Sequence, residues 1–260
     1  MHKLHLAGWL DAALFRLAQF RNRKINTVYC KQNPGIILPA DYPLYETYQL
    51  NYRKFIEDGR LAAMEITEWT KPYISEKHPC LLDWGCGVGR TIQHVELLPP
   101  GAVLYGCDIN DEMIEWNKNN YPQIAFTTIN NFPPTPYAPF FFDLVYGMSI
   151  FTHIESRLQI EWIIELYRIL KSNGVLLITT QGAHYYNKLL PGEMKVLDDK
   201  GVYTQNYYKQ GHRMMSTYNK AETFKTLFEP YFTLLEYHNG KKDPGKIGGQ
   251  DLWIFQKREE

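Results

Sequence analysis

The stretch LLDWGCGVGR, residues 81–90, runs from apolar, strand-like residues into three glycines at alternate positions, Gly85, Gly87 and Gly89, with Asp83 two residues ahead of the first and a helix-like stretch behind. Glycine carries no Cβ, so a backbone built this way can turn tightly and bring its N–H groups close to a ligand. Working outward, CLLDW (80–84), AVLYGCD (102–108), IAFTT (124–128), FFDLVYGM (141–148) and GVLLITTQ (174–181) read as buried strands, with helical stretches between most of them. That alternation predicts an α/β fold built on a doubly wound, mostly parallel sheet. Residues 155–170 show the helical pattern best: Leu158, Trp162, Ile163, Leu166, Ile169 and Leu170 share one face, and Asn173 and Gly174 end it. YFTLLEYH (231–238) and QDLWIFQK (250–257) are joined by a loop too short for a crossover helix. They predict an antiparallel edge hairpin, bringing the sheet to seven strands.

Ahead of this domain, LAGWLDAALFRLAQF (6–20) sets Leu6, Leu10, Ala13, Leu14, Leu17 and Ala18 at helical spacing, with Arg16, Arg21, Arg23 and Lys24 at or beyond the polar side. An amphipathic helix of this kind is expected to pack on a core; a membrane-surface or partner anchor is the alternative. The proline-bearing segment 33–43 separates it from a helical region of residues 45–72, interrupted near Gly59. The organisation expected is a helical extension over 1–79 and one domain over 80–260.

Lysines plus arginines number 28, as do aspartates plus glutamates, so no net field draws in nucleic acid. Cys30, Cys80, Cys86 and Cys107 form no CxxC pair and no zinc spacing, which points to reduced thiols in a cytoplasmic protein and to no metal. No apolar run reaches the roughly 20 residues of a transmembrane segment.

In an open parallel sheet, ligands bind beyond the carboxyl ends of the strands where strand order reverses, so the glycine loop is the floor of a site. Asp108, ending the second strand, would accept hydrogen bonds from ribose hydroxyls, which dinucleotides and S-adenosylmethionine both carry. The spacing here is GxGxG, not the GxGxxG that seats a pyrophosphate on a helix N-terminus. Asp83 would repel a pyrophosphate and attract the ammonium of a methionine moiety. Spacing and charge together favour S-adenosylmethionine.

These residues resemble the class I, Rossmann-like S-adenosylmethionine-dependent methyltransferases: LLDWGCGVGR is similar to the family's first motif and GCDINDEMIEWNK to its second strand and following helix. The resemblance is strong over about residues 80–181. It implies that Asp83 and the loop Gly85, Cys86, Gly87, Gly89 and Arg90 hold the methionine part, Asp108 the ribose, and Ile109 and Met113 flank the adenine. Asn130 stands where many members have an Asp at the adenine edge, with Asn131 beside it. FDLVYGMSIFTHIE (142–155) resembles the fourth strand and the loop near the methyl group, which brings in Gly147, Met148 and His153.

THIE (152–155) is a candidate capping box, which would put His153 in the first turn of a helix and keep its imidazole neutral, as a general base requires. His184 is the alternative base. Cys86 has no evident base and reads as a small buried side chain. The segment 182–218 far exceeds an ordinary loop, is rich in tyrosine and leaves the fifth strand at its carboxyl end, so it is expected to be a substrate lid, with Tyr185, Tyr186 and His212 meeting substrate. The function expected is O-methylation of a small-molecule or glycan hydroxyl. A nicotinamide-dependent oxidoreductase and a non-catalytic S-adenosylmethionine-binding module are the alternatives; the acceptor and the oligomeric state are left open.

Overall fold

The computed structural model describes residues 2–206, 215–242 and 247–259. β1 (Cys80–Trp84), β2 (Val103–Asp108), β3 (Ala125–Thr128), β4 (Phe142–Gly147) and β5 (Leu170–Thr180) run parallel. A separate antiparallel pair follows, β6 (Val202–Asn206) with β7 (Met215–Asn219). β8 (Phe232–His238) and β9 (Asp251–Lys257) then complete a seven-stranded sheet of order β3-β2-β1-β4-β5-β9-β8, in which β9 is antiparallel to both its neighbours. Strand order reverses between β1 and β4, so their carboxyl ends open the crevice where a ligand belongs.

The two faces of the sheet are covered as alternation along each strand dictates. Leu82 and Trp84 of β1 enter the core built with α5 (Gln159–Ile169) and α7 (Ala221–Phe228). Leu81 enters the opposite core, with Ala63 and Ile66 of α3 (Tyr52–Thr70) and Ile114 of α4 (Asp111–Asn120). By the same period Asp83 falls on the α3 side. A third cluster fastens α2 (Asp41–Thr47) and Phe15 and Ala18 of α1 (His2–Gln32) onto Val88 and Met113.

Five local expectations change. Gly59 does not interrupt a helix but sits in the middle of α3, where a Cβ would stand 2.2 Å from the carbonyl oxygen of Arg90. It is there for close approach, not as a breaker. Behind the glycine loop the chain makes turns and a short 3-10 helix, Val95–Leu97, because Pro99 and Pro100 disfavour helical backbone just before them. The helix expected over 155–170 is confined to α5, and its partner strand begins at Leu170, whose side chain is fully buried. Asn173, expected to end the helix, lies inside β5 with φ of 60°.

The last change concerns α1. Its packed side carries Asp11, Phe15, Ala18 and Asn26, tied by hydrogen bonds from the Tyr42 hydroxyl to Asp11 (3.1 Å), from Gln19 to Asp41 (2.8 Å) and from the Tyr52 N–H to Asn26 (3.0 Å). Leu10, Leu14 and Leu17, expected to pack, face outward. Polar ties to α2 and α3 outweigh the leucine stripe in setting which side turns in.

Candidate active site

Each glycine of the loop has positive φ: 78° at Gly85, 53° at Gly87 and 70° at Gly89. At two of them a side chain would also collide, since a Cβ on Gly85 would come within 2.1 Å of the Ile150 side chain and one on Gly87 within 2.6 Å of the Thr47 hydroxyl. The loop therefore fits closely between the turn after β4 and the end of α2. Its N–H groups are not presented to a ligand, as expected from sequence, but used internally. Gly85 and Cys86 donate to the Cys107 carbonyl (2.8 and 3.0 Å), Gly87 to an Asp108 carboxylate oxygen (2.9 Å), Val88 to the Thr47 hydroxyl (3.4 Å) and Gly89 to the Cys86 carbonyl (2.9 Å). What the loop offers is a rigid, side-chain-free floor.

Two carboxylates flank that floor on adjacent strand ends. Asp83, 4% exposed, pairs in register with Gly106 of β2 and Tyr146 of β4. Burial pushes its carboxyl up to about 7; the Tyr146 hydroxyl and the Arg90 guanidinium pull the other way, and Asp108 adds to the rise. Arg90 lies over the Tyr48 ring, 4.5 Å from its centre, and Tyr48 donates to Asp58 (2.8 Å). Asp108 is raised by burial, against the N–H groups of Asn110, Gly87 and Ile109. Its second oxygen accepts from the Asn110 N–H (3.0 Å), so Asp108 braces the glycine loop as well as facing the site. With three N–H groups on its roughly four lone-pair sites, one site remains for a hydroxyl donor.

The other expected cofactor residues divide. Ile109, Asn130 and Asn131 are exposed around the ends of β2 and β3. Met113 is turned under α2, its sulfur 3.7 Å from the Thr47 hydroxyl. Cys86 is buried with its thiol raised by burial, and the Asn117 side chain donates to it (3.7 Å) and to the Gly87 carbonyl (2.8 Å). Gly147 makes room for the Trp84 ring, which a Cβ would meet at 2.8 Å. Met148 is half-buried against the α3-side core.

His153 is not in the first turn of a helix, so the capping-box expectation is corrected. It ends a short 3-10 turn, Ile150–His153, and the Thr152 hydroxyl bonds back to the Ser149 carbonyl instead of capping forward. Another arrangement fixes the imidazole: Nδ1 lies 2.9 Å from the Met215 carbonyl oxygen. A carbonyl only accepts, so Nδ1 carries the proton and Nε2 holds the lone pair of the neutral ring. His184 is exposed, edge-on to Tyr185. Tyr185 and Tyr186 donate their hydroxyls to the carbonyls of Gly248 (2.5 Å) and Asn219 (2.7 Å), so both act as ties across the insertion. His212 lies outside the described residues.

The insertion after β5 contains α6 (Pro191–Lys200) and the β6–β7 pair, and it is pinned to the turn after β4. Besides the His153 contact, Thr217 donates to the Ile154 carbonyl (2.8 Å). At that turn lies a polar cluster that sequence analysis missed. Ser149 has φ of 68°, a conformation costly for a residue with a side chain. Its N–H donates to the Thr179 hydroxyl (2.8 Å), Thr179 donates to the Gln250 side-chain Oε1 (2.5 Å), and the Gln250 Nε2 donates to the Ser149 hydroxyl (2.8 Å). Because Thr152 spends its proton on the Ser149 carbonyl, Ser149 donates to Thr152 (3.0 Å) and keeps one acceptor lone pair. The four residues come from β5 and from segments at the ends of β4 and β9, separated by up to 101 positions, so no local motif marks them. Among the described residues no cluster of His, Cys, Asp and Glu could hold a metal ion.

Comparison with known proteins bears on the domain and its fold. Residues 82–178 match the family model for a methyltransferase domain. A stretch of 101 residues, 39% of the chain, is 28% identical to malonyl-(acyl-carrier protein) O-methyltransferase from Herminiimonas arsenicoxydans, and spans only 36% of that protein. Among solved structures, an S-adenosylmethionine-dependent methyltransferase from Methanosarcina mazei superposes with a TM-score of 0.57 at 16% identity, covering 74% of this chain and 98% of that one. The cyclase SpnF superposes at 0.52 with 15% identity over 77% of this chain and 82% of its own. At such identities the likeness is one of fold.

Proposed function

We propose that this chain, which carries a class I, Rossmann-like S-adenosylmethionine-dependent methyltransferase domain, moves the cofactor's methyl group to a hydroxyl oxygen of a small molecule or glycan. The observation that carries the reading is the pair of carboxylates on adjacent strand ends around a floor without side chains. Asp83 is a buried acid pushed up to about 7, so a cation placed against it recovers a large share of what burial costs. The ammonium of a methionine moiety is such a cation, with Arg90 beside it for the carboxylate. Asp108 has a lone pair left for a ribose hydroxyl, and exposed Ile109 offers an apolar flank to the base.

Bound S-adenosylmethionine supplies a methyl group on a sulfonium whose departure leaves a neutral thioether. The protein's share is alignment, water exclusion and removal of one proton. The Ser149 lone pair orients the acceptor by taking a hydrogen bond from a polar group beside the reacting hydroxyl, and the Gln250–Thr179 chain holds Ser149 in its unfavourable backbone geometry for that purpose. His153, with its tautomer set by the Met215 carbonyl, takes the proton on Nε2. The described parts of the insertion, 182–206 and 215–218, cover the acceptor as a lid. An oxygen acceptor is supported by the relative from Herminiimonas arsenicoxydans, which is by name an O-methyltransferase.

The test incubates the purified protein with S-adenosylmethionine and panels of phenols, sugars, carboxylic acids and amines, and reads S-adenosylhomocysteine by mass spectrometry. Turnover with phenols or sugars is expected. Turnover confined to acids or amines overturns the hydroxyl reading, and cofactor binding without turnover on any panel makes the chain a binding module.

A further inference from the structure

The side of α1 turned away from the domain carries Trp9, Leu10, Leu14, Leu17, Phe20 and Ile25, with Trp9 and Phe20 79% and 80% exposed. Arg16, Arg21, Arg23, Lys24 and Lys31 are exposed among and beside them, and none forms an ion pair among the described residues. The helix has six lysines and arginines against one acid, Asp11, and that acid is buried against Tyr42. Its net charge is +5 on a chain whose total is zero. We propose that this face of α1 docks the protein on an anionic lipid bilayer.

Charge and composition select this occupant. A second copy meeting the same face about a two-fold axis would set five cations against five cations, and a self-pairing surface of that kind repels itself. An anionic headgroup layer attracts each lysine or arginine within about a Debye length. Trp9 and Phe20 are suited to the boundary between headgroups and acyl chains, and the leucines enter beside them without the helix having to cross. α1 is about 46 Å long at 1.5 Å per residue, so it lies in the surface as one continuous contact. No described helix is long and apolar enough to span a membrane. The packed side of α1 keeps its ties to Asp41, Tyr42 and Tyr52, so docking requires no unfolding. This inference goes beyond methyl transfer and does not depend on the acceptor.

The test is flotation of the full chain with vesicles of phosphatidylcholine alone and of phosphatidylcholine with phosphatidylglycerol. Binding to the anionic vesicles only, falling as salt rises, is expected. Arg21→Glu with Lys24→Glu, and separately Trp9→Ser with Phe20→Ser, should each lower the bound fraction by on the order of tenfold or more, with thermal melting and cofactor binding unchanged. Failure of the wild-type chain to float with anionic vesicles overturns the proposal. So does a dimer in light scattering that Trp9→Ser with Phe20→Ser converts to monomer, because the face is then a protein interface.

Discussion

Asp83 is the residue whose chemistry reaches furthest. In the free protein its carboxyl is pushed from 3.8 up to about 7, so the folded chain holds a proton that the unfolded chain has lost between those values. Its contribution to stability is full below about 3.8 and is lost as pH rises through about 7. A cation seated beside it would favour the charged form, so on the proposed reading cofactor binding should release that proton. Affinity for S-adenosylmethionine should rise as pH approaches 7, by at most about tenfold per unit, and level off above. Calorimetry across that range in wild type and Asp83→Asn measures it; a flat wild-type profile would show that Asp83 does not meet the ammonium. Asp108→Ala should weaken cofactor binding by about 1.5–3 kcal/mol and also lower the melting temperature, since the Gly87 and Asn110 N–H groups lose their acceptor. His153→Ala should slow single-turnover methyl transfer by about 10² to 10⁴ with cofactor affinity kept, whereas equal losses in both would make His153 a positioning residue. Asp83 and the glycines were legible because one strand-to-loop step concentrates them in ten residues, and Asp108 because it ends the next strand. Ser149, Thr179 and Gln250 were not, because only the sheet brings them together.

Among the elements, α3 and the glycine loop are coupled through a single missing methyl group. The Gly59 position meets the Arg90 carbonyl, so Gly59→Ala must push α3 off the loop or shift Arg90. We expect a loss of about 2 kcal/mol or more despite alanine's better helix propensity, with weaker cofactor binding. Gly192→Ala, in the first turn of α6 with open space around its Cβ position, should be neutral or slightly stabilising. Thermal melts of the two variants settle the comparison; equal melts would mean that α3 and the loop yield without cost. A glycine inside a helical pattern reads as a breaker by propensity, and nothing local says that another backbone lies against it. The strands fared better because burial on both faces writes each as an apolar run, whereas the turn after β4 departs from its capping signature because Thr152 lies inside a 3-10 turn and the chain leaves that turn extended at Ile154.

At the scale of the molecule, the chain from α1 to the glycine loop forms one relay. Phe15 of α1 packs edge-on against Tyr42 and tilted against Tyr45 (5.1 and 5.3 Å between ring centres), Gln19 holds Asp41, and α2 so placed sets the Thr47 hydroxyl on Val88 and beside Gly87. Beyond α2, Tyr48 covers Arg90. A helical extension was readable from the spacing of its leucines, but its inward face was not, because polar ties to Asp41, Tyr42 and Tyr52 set the rotation and hydrophobicity alone does not. Removing residues 1–32 should therefore act at a distance. With Phe15 and Ala18 gone, α2 loses its cover, and Thr47 and Tyr48 lose their fixed positions over the loop. We expect a lower melting temperature and S-adenosylmethionine binding weakened by about tenfold, or about 1.4 kcal/mol. Trp9→Ser with Phe20→Ser, which touches only the outward face, should leave both unchanged. If the truncated chain melts and binds cofactor as the full chain does, α2 holds the loop without help, and α1 acts through its outward face alone.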